Sequence, residues 1–214
     1  MAGDTTVRDG DFWARVRVAL GLVRPDRVGD PAHGQAAIAR QLGIKPRLGS
    51  RIEDELAQGW SVAAGRRVSL SLLVIEIDRA AEFHQAYGRE AMDDCMRQVM
   101  AVVAGTLPRS TDTCLRMGRS SLVLVLPDLP ALMARSIAAR IAAAIRTLAV
   151  PHRDSHAGSV TVSAGLAVCN PHGAYDRAFF EAAAEALKKA QRKGLGRLEA
   201  VDLRPEQERR RAAA

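Results

Sequence analysis

Two stretches of this chain combine residue types that do chemistry with a backbone able to present them. Glu76 stands near the end of the run Ser69 to Ile77, which alternates at first and is then continuously apolar, as a central strand buried on both faces would be. A carboxylate there is costly to bury unless it meets a metal, a cation or solvent, which makes Glu76 a candidate site residue. The second stretch is Gly118, Arg119, Ser120 and Ser121, a polar tip between Thr113 to Arg116 and the apolar run Leu122 to Leu126. The pattern predicts a β-hairpin, and a glycine at such a tip lets backbone approach a ligand closely. Farther on, Arg140 falls off the apolar stripe of a predicted helix, where it is free to face a ligand.

Composition narrows what such groups can serve. Lys plus Arg number 31 against 24 Asp plus Glu, a net charge of +7, which favours an anionic partner such as a nucleotide, a nucleic acid or a membrane surface. Aromatic residues are 4% of the chain and do not interleave with the basic ones, so a single-strand stacking platform is excluded and nucleic acid is not expected. Cys95, Cys114 and Cys169 are odd in number, widely spaced and set among apolar neighbours, as reduced core thiols are. None of the five histidines has ligand spacing to them, which argues against structural zinc. The first residues lack the charged and apolar regions of a leader, and no apolar run approaches a membrane span, so a soluble cytoplasmic protein without membrane insertion is expected.

The elements that must position these groups follow from periodicity. Residues 1–47 read as a helical extension and linker: Phe12, Val16, Leu20 and Val23 recur at helical spacing, and Pro25, Gly29, Pro31 and Gly34 interrupt the chain after them. Ile52, Leu56 and Trp60 then form a stripe that ends before Gly65. After the strand to Ile77, Phe83 and Tyr87 mark a short helix ending at Gly88, and Met92 to Thr106 a longer one. Beyond the hairpin, Pro130 opens a helix with the stripe Met133, Ile137, Ile141, Ile145 and Leu148. Ser159 to Val168 reads as a strand, Asp176 to Lys193 as a helix and Leu198 to Leu203 as a last strand, before a basic polar tail over 204–214 expected to be disordered. The order predicts an α/β (α+β) domain of two layers, one mixed sheet of about five strands covered by helices.

From about Leu48 to Val201 these pieces resemble the GGDEF domain of the diguanylate cyclase family, whose nucleotidyl-cyclase-like fold agrees with that layout. Glu76-Ile77-Asp78 resembles the Asp-x-Asp that ends the family's first strand. Phe83 to Gly88 resembles its Asn-Asp-x-Tyr/Phe-Gly segment, Val160 to Ala167 its Val-Thr-Val-Ser-x-Gly-Val-Ala strand, and Leu187 to Gly194 its closing helix. Four pieces in the right order make the resemblance specific. It implies a domain placed over 48–203.

The resemblance also implies where chemistry has been lost. Active members carry Gly-Gly-Asp/Glu-Glu-Phe at the tip and join two GTP molecules with metal ions held by the strand's first carboxylate and the tip's third residue. Here the tip positions are Gly118, Arg119, Ser120, Ser121 and Leu122, so Glu76 can supply one carboxylate and Ser120 cannot supply the other. The family's two lysines align with Ala81 and Gln191, and its guanine-reading Asn with His84, while its guanine-reading Asp aligns with Asp93. Glu76, Ile77, Asp78, His84, Asp93 and Gly118 to Ser121 are then vestigial, with no catalytic residue and no metal ligand; magnesium is implied only for a weak or partner-dependent cyclase.

A second family site is retained. Product-inhibited members carry Arg-x-x-Asp ahead of the tip, and here Arg109-Ser110-Thr111-Asp112 stands at that spacing before Gly118, with the helix arginine that completes the site at Arg140. A guanidinium fork suits guanine O6/N7 and phosphate, and an aspartate accepts from guanine nitrogens. Pro108 reads as a one-residue insertion beside the motif. The resemblance therefore implies a non-catalytic receptor for cyclic di-GMP, with the N-terminal helices meeting a protein partner or a second copy. A cyclase and a nucleotide-free interaction module are the alternatives.

Overall fold

The computed structural model describes residues 50–107 and 109–206. The extension over 1–47, Pro108 and the tail beyond 206 lie outside the described residues, and the expectations for them with it. The chain runs as helix α1 (Ser50–Arg66), strand β1 (Leu70–Ile77), helix α2 (Ala80–Thr106), strands β2 (Thr113–Met117) and β3 (Ser121–Pro127), helix α3 (Ala131–Thr147), strand β4 (Val162–Cys169), helix α4 (Ala178–Lys193) and strand β5 (Leu198–Asp202).

The strands form one five-stranded sheet in the order β2-β3-β1-β4-β5. β1 is central and antiparallel to both β3 and β4, with Leu73 opposite Leu124 on one side and Leu166 on the other. β5 runs parallel to β4, so the sheet is mixed as expected. Alternation along β1 divides its side chains between two faces. Leu70, Leu72 and Val74 join Ile52, Leu56 and Trp60 of α1 and Phe180, Ala183 and Leu187 of α4 in one buried cluster. Leu73 and Ile75, equally buried, point the other way, toward the face that α3 covers.

The expected mixed sheet covered by helices is present, with helices on both of its faces. The physical reason is legible in β1, β3 and β4: every residue but Glu76 is buried, so both faces need a cover. One contact sets how closely α4 lies on the sheet. A Cβ at Gly165 of β4 would stand 2.1 Å from the Ala183 carbonyl oxygen and 2.2 Å from the Leu187 nitrogen, so only glycine fits beneath that helix.

Element ends differ from the sequence expectations by local chemistry. Helix α1 continues through Gly65 to Arg66 and stops where Arg67 adopts φ 54°. The two expected helices on either side of Gly88 are one assigned span, but Gly88 at φ 84°, ψ 179° breaks it at the expected place. Helix α4 starts at Ala178, whose amide donates to the Asp176 carboxylate at 2.9 Å in the turn before it. Met133 is 55% exposed rather than in the core of α3; Ala134, Ile137, Ala138, Ile141 and Ile145 form the buried stripe instead.

Candidate functional site

The hairpin of β2 and β3 brings candidate groups to both of its ends. At the tip, Gly118 takes φ 70°, and the Ile77 amide donates to the Ser120 carbonyl at 2.9 Å, so the turn is docked on the end of β1. Register then places Glu76 opposite Ser121. Its carboxylate accepts from the Ser120 and Ser121 hydroxyls, each at 3.3 Å, and from the Gln191 side-chain amide on α4 at 2.9 Å. Asp78, only 2% exposed, is held by Thr161 Oγ1 at 2.7 Å, Ser163 Oγ at 2.5 Å and the Gly196 amide at 2.9 Å.

The other tip groups meet across from α2. Arg116 donates to Asp93 at 2.7 Å and to the Gly118 carbonyl at 3.0 Å. Arg119 lies 3.2 Å from His84 Nε2, and its own Nε is buried without a partner among the described residues. Glu76 thus meets Ser120 and Ser121, His84 meets Arg119, Asp93 meets Arg116, and Asp78 is held by Thr161, Ser163 and Gly196, with Ile77 fixing the turn through its backbone. Two partnerships were not legible in advance. Arg116 looked like an ordinary strand residue, and the sequence held no sign that Thr161 and Ser163 would satisfy Asp78.

Whether this donor set suits the divalent-metal pair of a cyclase follows from its chemistry. Hard divalent ions bound beside phosphates need several oxygen ligands, with carboxylates to balance charge. Asp78 already accepts three hydrogen bonds, Ser120 offers only a hydroxyl, and Gln191 adds no charge. Glu76 accepts from two serines and a glutamine, and the Asp93 carboxylate is paired with Arg116, so these residues do not fit a metal pair.

The base of the hairpin is built differently. Arg109 and Asp112 pair at 3.0 Å, across a turn in which the Asp112 amide donates to the Arg109 carbonyl. The same guanidinium donates to the carbonyls of Pro127 at 2.7 Å and Asp128 at 2.8 Å, tying the start of β2 to the end of β3. Asp128 is set for this by φ 56° and by its amide donating to Ser69. Three of the five guanidinium N–H groups are thus engaged. Arg109 Nε and Asp112 Oδ2 are both buried and unpartnered among the described residues, although the Asp112 side chain is 0% exposed. An unpaired buried polar atom costs about 1–3 kcal/mol, so two at one spot mark a place that another donor and acceptor would complete. Arg140 is exposed on α3 and makes no hydrogen bond or ion pair with this couple.

The three cysteines are free, and burial pushes the thiols of Cys95 and Cys169 up to about 12 and that of Cys114 to about 11, so none is a ready nucleophile. His152 is fully buried, within 3.2 Å of the Arg79 carbonyl and edge-on to Phe83. No helix among the described residues is long and apolar enough to cross a membrane.

Comparison with known proteins places this geometry. Residues 49–197 match the family model described as diguanylate cyclase, GGDEF domain. Diguanylate cyclase DosC of Escherichia coli K12 is 28% identical over 130 residues, 61% of this chain and 28% of that protein. Diguanylate cyclase DgcP of Pseudomonas aeruginosa is 31% identical over 155 residues, 71% of this chain and 22% of that protein. This chain therefore spans only about a quarter of the length of these relatives. Among solved structures, the GGDEF domain of DgcB from Caulobacter crescentus in complex with c-di-GMP superposes with a TM-score of 0.64 at 22% identity, covering 83% of this chain and 98% of that one, which is a likeness of fold.

Proposed function

We propose that this chain, which belongs to the GGDEF family through residues 49–197, binds cyclic di-GMP through Arg109, Asp112 and Arg140 and does not synthesise it. The observation that carries the reading is the pair of buried, unpartnered atoms at the hairpin base, Arg109 Nε and Asp112 Oδ2. A guanine edge offers the complementary acceptors and donors. Binding requires Arg109 to turn outward from the Pro127 and Asp128 carbonyls, which uncovers Asp112, and Arg140 adds an exposed cation for phosphate. That related GGDEF structures hold c-di-GMP, as DgcB does, supports the ligand class.

Support for inactivity comes from the tip. The phosphates of two GTP molecules need charge balance from metal ions, and the tip of this chain offers Glu76 beside two serines and a glutamine. The degenerate motif, cytoplasmic location and a regulatory partner or homodimer meeting residues 1–47 belong to the same proposal. The rival reading, a weak or partner-dependent cyclase, is favoured by Glu76 and by relatives that are cyclases, and it predicts magnesium-dependent turnover of GTP. The experiment is calorimetric titration of the full chain with cyclic di-GMP beside an assay with GTP and magnesium. Heat from the dinucleotide without turnover of GTP is expected. Turnover would establish the cyclase, and silence with both would leave an interaction module.

A further inference from the structure

Arg146, which falls off the apolar stripe of α3, and Arg197, in the loop between α4 and β5, have no role at either end of the hairpin. Both side chains are exposed, and neither has a hydrogen bond or ion pair among the described residues. They line one groove of about 220 Å³ between α3 and the β4–β5 side of the sheet. Its walls are apolar: Ala139 and Ala142 of α3 face Ala164 of β4 and Leu198 of β5, with Ile75, Ile141 and Val162 beside them. The two arginines are its sole charged lining among the described residues, and Glu199, next along β5, does not line it and is engaged by Lys193 at 2.8 Å and Lys189 at 3.9 Å. Arg109 and Arg140 are not part of it.

We propose that this groove binds a small amphiphilic anion, with a carboxylate or phosphate head on Arg146 and Arg197 and a short aliphatic or aromatic tail on the alanine-lined floor. The charge argument selects the head: two unpaired guanidinium groups with no acidic neighbour in the lining favour an anion, and the planar fork matches carboxylate and phosphate oxygens. The space limits the tail. Drug-sized ligands occupy roughly 300–1,000 Å³, so this groove admits a shorter group than most such molecules carry. Small side chains on both walls leave that room, and apolar contact there adds to the attraction at the rim.

The test is amide chemical-shift titration of the full chain with octanoate and with octyl phosphate, with octylammonium, acetate and inorganic phosphate as controls. Perturbation confined to Ala139, Ala142, Gly196 and Leu198 by one or both amphiphilic anions, and not by the controls, is expected; which head binds more tightly assigns carboxylate or phosphate. Arg146→Glu and Arg197→Glu, both at exposed positions, should each weaken binding about tenfold or more. Ala142→Leu should block it by filling the floor, with cyclic di-GMP binding unchanged in all three variants. Absence of shifts, an equal response to octylammonium or to either head group alone, or binding that survives the double Arg146→Glu/Arg197→Glu variant would overturn the proposal.

Discussion

The two ends of the β2–β3 hairpin hold similar residues and use them in opposite ways. At the tip, Arg116 is paired with Asp93, Arg119 with His84, and Glu76 with serine hydroxyls and an amide, so the carboxylates meet neutral groups or cations of the chain itself. At the base, Arg109 and Asp112 are paired as well, yet each keeps a buried polar atom without a partner. Arg119 Nε at the tip lacks a partner too, so what separates the ends is the carboxylate: among the described residues only the base holds a buried carboxylate oxygen without one. A site whose carboxylates are already neutralised gains little from a ligand, whereas one carrying unpaired buried atoms gains what those atoms now cost.

The widest separation is in chemistry. On the proposed reading, metal-dependent turnover of GTP should be lower than an active cyclase's by about a millionfold or more, since losing the clamps at Ala81, Ser120 and Gln191 would each remove several kcal/mol of transition-state stabilisation. Product chromatography after long incubation measures this, and turnover within a few hundredfold of an active enzyme would erase the contrast. Stability separates the ends next. Arg109→Ala should lower folding stability by about 3 kcal/mol, because it leaves the fully buried Asp112 carboxylate unpaired and unties β2 from β3. Arg119→Ala at the tip should cost less than about 1 kcal/mol, since it removes one contact to His84 and an unsatisfied Nε. Urea midpoints of the two variants provide the comparison.

A third variant isolates ligand binding from folding. Arg140→Glu changes an exposed side chain and should leave the urea midpoint within about 0.5 kcal/mol of the parent, while weakening cyclic di-GMP by roughly tenfold to a hundredfold. A last effect belongs to groups at neither end and is confined to alkaline pH. The Cys95 thiol is pushed from 9.0 to about 12 by burial, so it stays protonated in the fold while the unfolded chain ionises. The unfolded state then binds fewer protons above pH 9, and stability falls as pH rises from there toward 12, by about 1.4 kcal/mol per pH unit for this thiol. Stability curves of Cys95→Ala against pH should be shallower over that window.

Much of this was legible in the sequence because it rests on period and punctuation. The stripe Ile52, Leu56, Trp60 gave α1, the polar break at Gly118 gave the hairpin, and Gly88 marked the interruption of α2. The Arg-x-x-Asp spacing brought Arg109 to Asp112. The missing parts depend on contacts across the chain that no local pattern encodes. Met133 lies outside the core because Ala134 sets the phase of α3. The use of Arg109 as a staple needs the carbonyls of Pro127 and Asp128, which nothing in the Arg-x-x-Asp spacing reveals.

The most direct test of the contrast is amide hydrogen exchange over the whole chain, with and without saturating cyclic di-GMP. Protection rising over 109–112 and along α3 around Arg140, with exchange at 76–84 and 118–121 unchanged, is the expected result. Protection at the tip, with none at the base, would contradict the account and assign the nucleotide to the remains of the substrate site.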